Sequence, residues 1–329
     1  MFRDTLFRVL FVYSLVAQTV AVAETDADTS NQARELINKM SSASRELNYD
    51  GIFVYRRGSH LDTMRLIHKH DDKGEHERMV SLTGYAREVV RNNDSVTCYF
   101  PDNQAIVVEK THPRQFIAGQ LPQPIEKIAS YYKFSVAGKD RIAGRPAWVV
   151  NIVPKDNFRY GYQLWIDEDT NLLLKSELKD ESGRPLEQIL FTQIHIVQDI
   201  PDQLLVPSIT GKGYTWHNST STEVPLKTSK YDWSVIEMPA GFAMNDYEKQ
   251  TVSESTMPVE HMIFTDGLAI VSVFIEKIND KPEYAQGASR VGGINAFATY
   301  QQGFQVTAVG EVPQKTVQQM ANSVIRLTH

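Results

Sequence analysis

A single cysteine in 329 residues excludes an intrachain disulfide and every paired-cysteine zinc or redox arrangement. Long apolar runs are missing as well. The best candidate, Val9 to Val16, is about eight residues, against the ~20 needed to cross a bilayer. Positive charge is not in excess: 34 Lys plus Arg face 40 Asp plus Glu, a net charge of -6. That balance excludes a generic nucleic-acid binder, whose phosphate contacts need a basic surface. There is no P-loop, no G-x-G-x-x-G and no H-E-x-x-H. Gly287-Ala288-Ser289-Arg290-Val291-Gly292 fails as a nucleophile elbow because its second glycine comes one position late. No catalytic, cofactor-binding or metal-binding residue is assigned.

What is present builds cores. Hydrophobic residues are 42% and aromatics 10% of the chain, ordinary for a globular protein. Residues 1–23 carry the marks of a cleaved secretory signal: Arg3 and Arg8, the apolar run, then Ala21-Val22-Ala23 as a small-x-small site. A soluble, exported protein is expected. Ala33, Leu36, Ile37, Met40, Ala43 and Leu47 recur at helical spacing, with Thr29 or Ser30 as the cap. After Tyr49 the period changes to that of strands, and short β-rich runs separated by Asp, Asn and Gly turns continue to Ile196. Only Pro122 to Tyr132 interrupts them, as a short helix. These features place an antiparallel, strand-rich unit over 24–204.

Residues 205–230 are rich in Pro, Gly, Ser and Thr and are expected to link that unit to a smaller α+β unit over 231–329. This second unit would close with a helix from Pro313 to about Arg326, carrying Val317, Met320, Ala321, Val324 and Ile325 on one stripe. Limited proteolysis should cut first within 205–230 and leave pieces of roughly 180 and 100 residues. A first cut inside 50–190 would contradict the division.

Candidate chemistry is sparse. His60, His68, His70 and His76 crowd one hairpin, and His68 and His70 would share a strand face. Lys69, Lys73 and Arg78 would repel a cation there, so a solvated hairpin tip is favoured over a metal site. Asp167-Glu168-Asp169 fits a β-turn rather than a facing pair of catalytic carboxylates. Cys98 lies in a strand and is expected to be a small buried hydrophobe. The remaining signal is an excess of large apolar side chains on the predicted sheets, which a widely curved sheet could use to hold an apolar ligand.

Several strings resemble one family. Tyr49-Asp50-Gly51-Ile52-Phe53-Val54-Tyr55, Arg87-Glu88-Val89-Val90-Arg91 and Arg159-Tyr160-Gly161-Tyr162-Gln163-Leu164-Trp165 are similar to segments of the RseB/MucB proteins. So are Val259-Glu260-His261-Met262-Ile263-Phe264-Thr265-Asp266-Gly267-Leu268 and Gln305-Val306-Thr307-Ala308-Val309-Gly310-Glu311-Val312-Pro313. The family comprises periplasmic negative regulators of the sigma-E (AlgU-type) envelope stress response. The resemblance implies an α+β fold. Its large N-terminal part would be an unclosed antiparallel β-barrel wrapping helices, similar to LolA and LolB, beside a smaller C-terminal α+β domain.

It further implies a soluble periplasmic protein that binds the periplasmic part of a membrane anti-sigma factor of the RseA/MucA type. Binding would shield that partner from regulated proteolysis, and mislocalised lipopolysaccharide or lipoprotein would release it. The acyl-chain cavity would be lined by Phe53, Tyr55, Met64, Tyr85, Trp148 and Trp165. The anti-sigma contact would lie near His261, Phe264 and Asp266 of the C-terminal domain. No cofactor and no nucleic acid are implied, and self-association as a homodimer is allowed. The alternative is a periplasmic lipoprotein carrier of the LolA type.

Overall fold

The helical spacing around Met40 becomes α1, residues 28–46, in the computed structural model, which describes residues 28–93, 95–109, 121–122, 124–209, 212–218, 231–251, 258–278 and 286–327. The signal reading for 1–23 lies outside the described residues. Ala33, Leu36, Ile37 and Met40 are buried on one stripe of α1, as a 3.6-residue period requires. Thr29 and Ser30 are not its caps: both sit inside the helix, and the Ser30 hydroxyl accepts a bond from the Arg34 guanidinium at 3.1 Å.

Twelve strands form one sheet. In chain order they are β1 (Asn48–Arg57), β2 (His60–Asp71), β3 (Gly74–Ser81), β4 (Glu88–Asn92), β5 (Ser95–Phe100), β6 (Ala105–Glu109), β7 (Tyr132–Ile142), β8 (Arg145–Pro154), β9 (Gly161–Asp167), β10 (Leu173–Lys179), β11 (Pro185–Val197) and β12 (Thr215–Asn218). Their spatial order is β12-β6-β5-β4-β3-β2-β1-β11-β10-β9-β8-β7. Two meanders are therefore sewn together where β1 pairs antiparallel with β11, from Asn48 opposite Val197 to Arg57 opposite Glu187. The end strands β12 and β7 do not pair with each other, so the barrel is unclosed. Among the described residues every pairing of this sheet is antiparallel except β12 with β6. That strand comes from the expected linker, so part of 205–230 belongs to the large sheet.

Apolar side chains are buried on both faces of β8. Val150 and Ile152 join α1, Phe134, Leu164 and Ile166 in one cluster, whereas Ala147 and Val149 join Phe53, Leu66, Trp165 and Phe191 in another. Alternate residues of a strand point to opposite faces, so the sheet carries two cores. Between Pro122 and Tyr132 the expected helix is only one 3-10 turn, Ile125–Ile128, because Pro124 before it is extended and the chain enters β7 at once.

The second sheet has six strands: β14 (Ala243–Thr251), β15 (Pro258–Thr265), β16 (Ile270–Lys277), β17 (Gly287–Val291), β18 (Ile294–Gln301) and β19 (Phe304–Gly310), ordered β14-β15-β16-β19-β18-β17. Met262, Phe264, Val271, Val273, Val306 and Ala308 pack beneath it against Val317, Met320 and Ala321 of α2 (Gln314–Asn322). The closing helix is shorter than its stripe suggested. It ends at Asn322, and β20 (Val324–Arg326) pairs antiparallel with β13 (Trp233–Val235). Val324 and Ile325 are β-branched, stiff at χ1 and better suited to a strand, and Trp233 and Val235 offer them a partner.

Candidate functional site

The predicted acyl-chain residues fall into three places. Phe53 is buried and meets Phe191 edge-on at 5.6 Å between ring centroids. Trp165 is also core: its indole N–H donates to Asp140 Oδ2 at 2.8 Å, and Lys175 Nζ lies 3.7 Å above the ring. Trp148 packs on the other cluster under Lys139 Nζ. Met64 belongs with Phe53 and Trp165 to one core cluster, against which Tyr55 packs; Tyr55, Met64 and Tyr85 also come together. With Phe100, Arg57 and Arg87 they line an open cleft of about 590 Å³. Tyr85 is 89% exposed at its rim, and the Tyr55 hydroxyl donates to Glu187 Oε2 at 2.5 Å.

A second cavity, between α1 and strands β1 to β4, β10 and β11, is apolar on the side of Leu66, Leu172 to Leu174 and Phe191, but holds only about 50 Å³. Sites for organic ligands run to ~300–1,000 Å³, so in this state the small cavity has no room for a chain, whereas the open cleft does. The small cavity's polar wall is His68, Glu75, Glu77 and Arg91. His68 is buried, stacks on Tyr49 at 4.8 Å and faces the Leu47 carbonyl and Glu75. Burial would raise the Glu75 carboxyl, but bonds from His68 and Arg91 hold it down at about 2. Two of the hairpin's histidines are thus engaged, His68 with Glu75 and His76 with Asn92. Among the described residues no group of three His, Cys, Asp or Glu could hold a metal ion. Asp167 closes its turn as the sequence suggested, its Oδ1 accepting from the Asp169 and Thr170 amides.

The predicted partner-binding residues also separate. On β15, Glu260, Met262 and Phe264 point into the core, and His261 and Ile263 to the other face. Phe264 is 2% exposed, so it supports the sheet from beneath. His261 is half-buried and stacks on Phe274 of β16 at 4.3 Å. Burial lowers its imidazole from the ordinary value.

Asp266 does not face solvent. It is fully buried against the large sheet, where its Oδ2 accepts from Arg159 Nη1 at 2.7 Å and from the Tyr132 hydroxyl at 2.8 Å. Its Oδ1 accepts from the Leu268 and Ala269 amides, which bends the β15–β16 hairpin into a tight loop. Leu268 then inserts into the α1 cluster beside Ile125 and Ile128. Gly267, at φ +100°, approaches Ile128 so closely that a Cβ would lie 2.8 Å from its Cγ2.

Arg159 is as buried as Asp266. It also donates to the Ala240 carbonyl at 2.6 Å, pairs with Asp156 and lies over the rings of Tyr131, Tyr132 and Phe242. Burial, reinforced by Asp266, raises the Tyr132 hydroxyl well above its ordinary value. Sequence reasoning placed none of Arg159, Tyr132 or Leu268 in a site. The available signal was an arginine and a tyrosine flanking buried strands, plus an Asp-Gly pair at a hairpin.

One further carboxylate is poised to titrate. Glu260 is buried with its Oε2 unpartnered, and its Oε1 shares Lys249 with Asp232. Burial, helped by Asp232 and opposed by Arg326, pushes its carboxyl up to about 7. The folded state thus holds the proton more tightly than the unfolded chain. Stability from this group is present below about pH 4.5 and is lost as pH rises through about 7. Glu260→Gln should leave the melting temperature unchanged at pH 4.5 and stabilise by on the order of 1–3 kcal/mol at pH 8. Thermal unfolding at the two pH values measures this, and destabilisation at pH 8 would show that Lys249 governs the site.

Comparison with known proteins agrees over nearly the whole chain. Residues 32–209 match the MucB/RseB N-terminal domain family and residues 227–325 the MucB/RseB C-terminal domain family. The chain is 29% identical to the sigma-E factor regulatory protein RseB of Haemophilus influenzae, covering 94% of this chain and 95% of that protein. It is 30% identical to the sigma factor AlgU regulatory protein MucB of Pseudomonas aeruginosa, with 94% and 95% covered. A solved structure of the Pseudomonas aeruginosa MucA/MucB complex superposes with a TM-score of 0.73 at 27% identity, covering 91% of this chain and all of that one. MucB in complex with MucA(peri) gives 0.71 at 28% identity, with 90% and 100% covered, and MucB crystallised alone gives 0.60 at 28%, with 91% and 99% covered. The two large sheets, and the hairpin that joins them, therefore lie within sequence that makes this chain a member of the MucB/RseB family.

Proposed function

We propose that this protein binds the periplasmic part of a membrane-spanning anti-sigma factor and shields it from regulated proteolysis, and so restrains a sigma-E-type envelope stress response. The observation that carries the reading is the whole-chain likeness, across both domains, to MucB solved in complex with MucA. The contact is assigned to the C-terminal sheet around His261, on the face opposite α2. Phe264 supports that face from below, and Asp266 holds the sheet against the N-terminal domain. A sheet face with a few half-buried anchors suits an extended or amphipathic segment.

Release is assigned to an amphiphile such as mislocalised lipopolysaccharide or lipoprotein, taken up by the Tyr55, Met64 and Tyr85 cleft. Its walls mix the apolar Tyr55, Met64, Tyr85 and Phe100 with polar groups that include Asp62 and Asp102, and Arg57 and Arg87 would meet an anionic head group.

The test is titration of the exported chain, residues 24–329, against a peptide spanning the periplasmic part of the same organism's anti-sigma factor. Tight one-to-one binding is expected, weakened about tenfold by His261→Ala with unchanged circular dichroism. Micellar lipopolysaccharide should release the peptide from the wild type but less readily from Tyr85→Ala, an exposed substitution expected to alter stability by no more than ~0.5 kcal/mol. Failure of the wild-type chain to bind the peptide would sink the proposal.

A further inference from the structure

We infer that the Asp266-Gly267-Leu268-Ala269 loop is an interdomain latch, and that Arg159, Tyr132 and Asp266 position the two domains for partner binding without touching the partner. The inference rests on the partner reading above.

The chemistry is unusually committed. The hydrogen bonds to the Asp266 carboxylate come from its own loop, at the Leu268 and Ala269 amides, and from the opposite domain, at Arg159 and Tyr132, and Arg159 and Asp266 are both fully buried. A buried ion pair adds little net stability over an apolar contact, yet removing one partner is strongly unfavourable. Such a pair therefore discriminates between arrangements more than it stabilises any one. If the domains swing apart, Asp266 Oδ2 loses both donors at once, Leu268 leaves an apolar pocket and the Arg159 charge loses its nearest carboxylate. No partial opening satisfies these groups, because Gly267 already sits against Ile128 and a shift of an ångström breaks bonds of 2.7–2.8 Å. The junction has one good state.

Secondary contacts share that geometry. The Tyr162 hydroxyl donates to Glu311, Asn295 donates to the Tyr160 hydroxyl, and the Thr316 hydroxyl donates to the Phe158 carbonyl at 2.6 Å. Phe158 and Tyr160 lie in the short β8–β9 segment that carries Arg159, and Tyr162 just after it, so the latch and its surroundings move together.

The comparisons point the same way. At nearly equal identity and coverage, the present arrangement superposes better on MucB with MucA bound, at 0.73 and 0.71, than on MucB alone, at 0.60. The structure as a whole is thus nearer the complexes than MucB alone. A partner that selects the latched arrangement binds with an affinity reduced by the fraction of molecules that are latched.

The experiment uses the full exported chain with Cys98→Ser, and spin labels on Leu61→Cys and Ile236→Cys, both exposed and one in each domain. Asp266→Asn keeps the loop-closing oxygen but removes the charge. It should broaden the interdomain distance distribution and weaken binding of the anti-sigma peptide about tenfold. Saturating peptide should restore the wild-type distance, because coupling is reciprocal; a merely structural substitution would not respond. Tyr132→Phe removes one oxygen and should act in the same direction by a few-fold, and it decides the matter if Asp266→Asn does not fold. A wild-type distance in the variants, or a changed distance with wild-type affinity, overturns the latch. If the wild-type chain binds no peptide, the partner reading fails instead, and the distances still judge the latch.

Discussion

Asp266→Ala should lower the stability of the protein by about 3–5 kcal/mol, the cost of stranding one member of a buried ion pair. It removes the carboxylate from Arg159 and Tyr132 and also the oxygen that accepts the Leu268 and Ala269 amides. Asp156 and the Ala240 carbonyl still contact the guanidinium, so the charge is not wholly abandoned. Urea unfolding followed by circular dichroism is the measurement. The control is Asp169→Ala, an exposed acid 3.7 Å from Arg145, which should stay within ~1 kcal/mol of the wild type. Equal effects at the two positions would mean that the domain junction contributes nothing particular.

The second large effect is expected at Phe264, whose ring fills the space between β15, β16 and α2 among Met262, Val271, Val273 and Met320. Phe264→Ala should cost about 3–5 kcal/mol, from lost transfer energy and the cavity left behind. The C-terminal domain should then unfold at lower denaturant, seen as early loss of near-ultraviolet signal from Trp233. His261→Ala, on the opposite face of the same strand, should cost less than ~1.5 kcal/mol. The contrast matters for interpretation: lost partner binding in Phe264→Ala would report a damaged sheet, whereas lost binding in His261→Ala would report the contact itself. A stable, fully folded Phe264→Ala protein would refute the core assignment.

Neither effect could be ranked from sequence, although both residues stand in one recognisable string. Alternation along Glu260 to Thr265 marks every second residue as buried, because strand side chains alternate. It does not say which set faces the core. That choice came from α2, whose Val317, Met320 and Ala321 meet Met262 and Phe264. The six candidate cavity residues suffered the same ambiguity. Large size and an expected strand setting are shared by the core residue Phe53 and the cleft residue Tyr85, and only the structure shows that Tyr85 lies in the loop between β3 and β4.

The sequence by itself determined the local periods and the turns between them. The stripe of α1, the antiparallel runs, the Asp167 turn and the weak patterning before Trp233 all follow from interactions within a few residues. Tertiary structure decided what those elements meet. Arg159 and Asp266 are 107 positions apart, and Tyr132 and Asp266 134 apart, so no spacing rule joins them. Val324 and Ile325 continue a helical stripe yet form a strand, because Trp233 and Val235 present an open edge to them. A period reports that a side chain will be buried; the surface that buries it exists only once distant segments have packed, and at Asp266 that surface is the other domain.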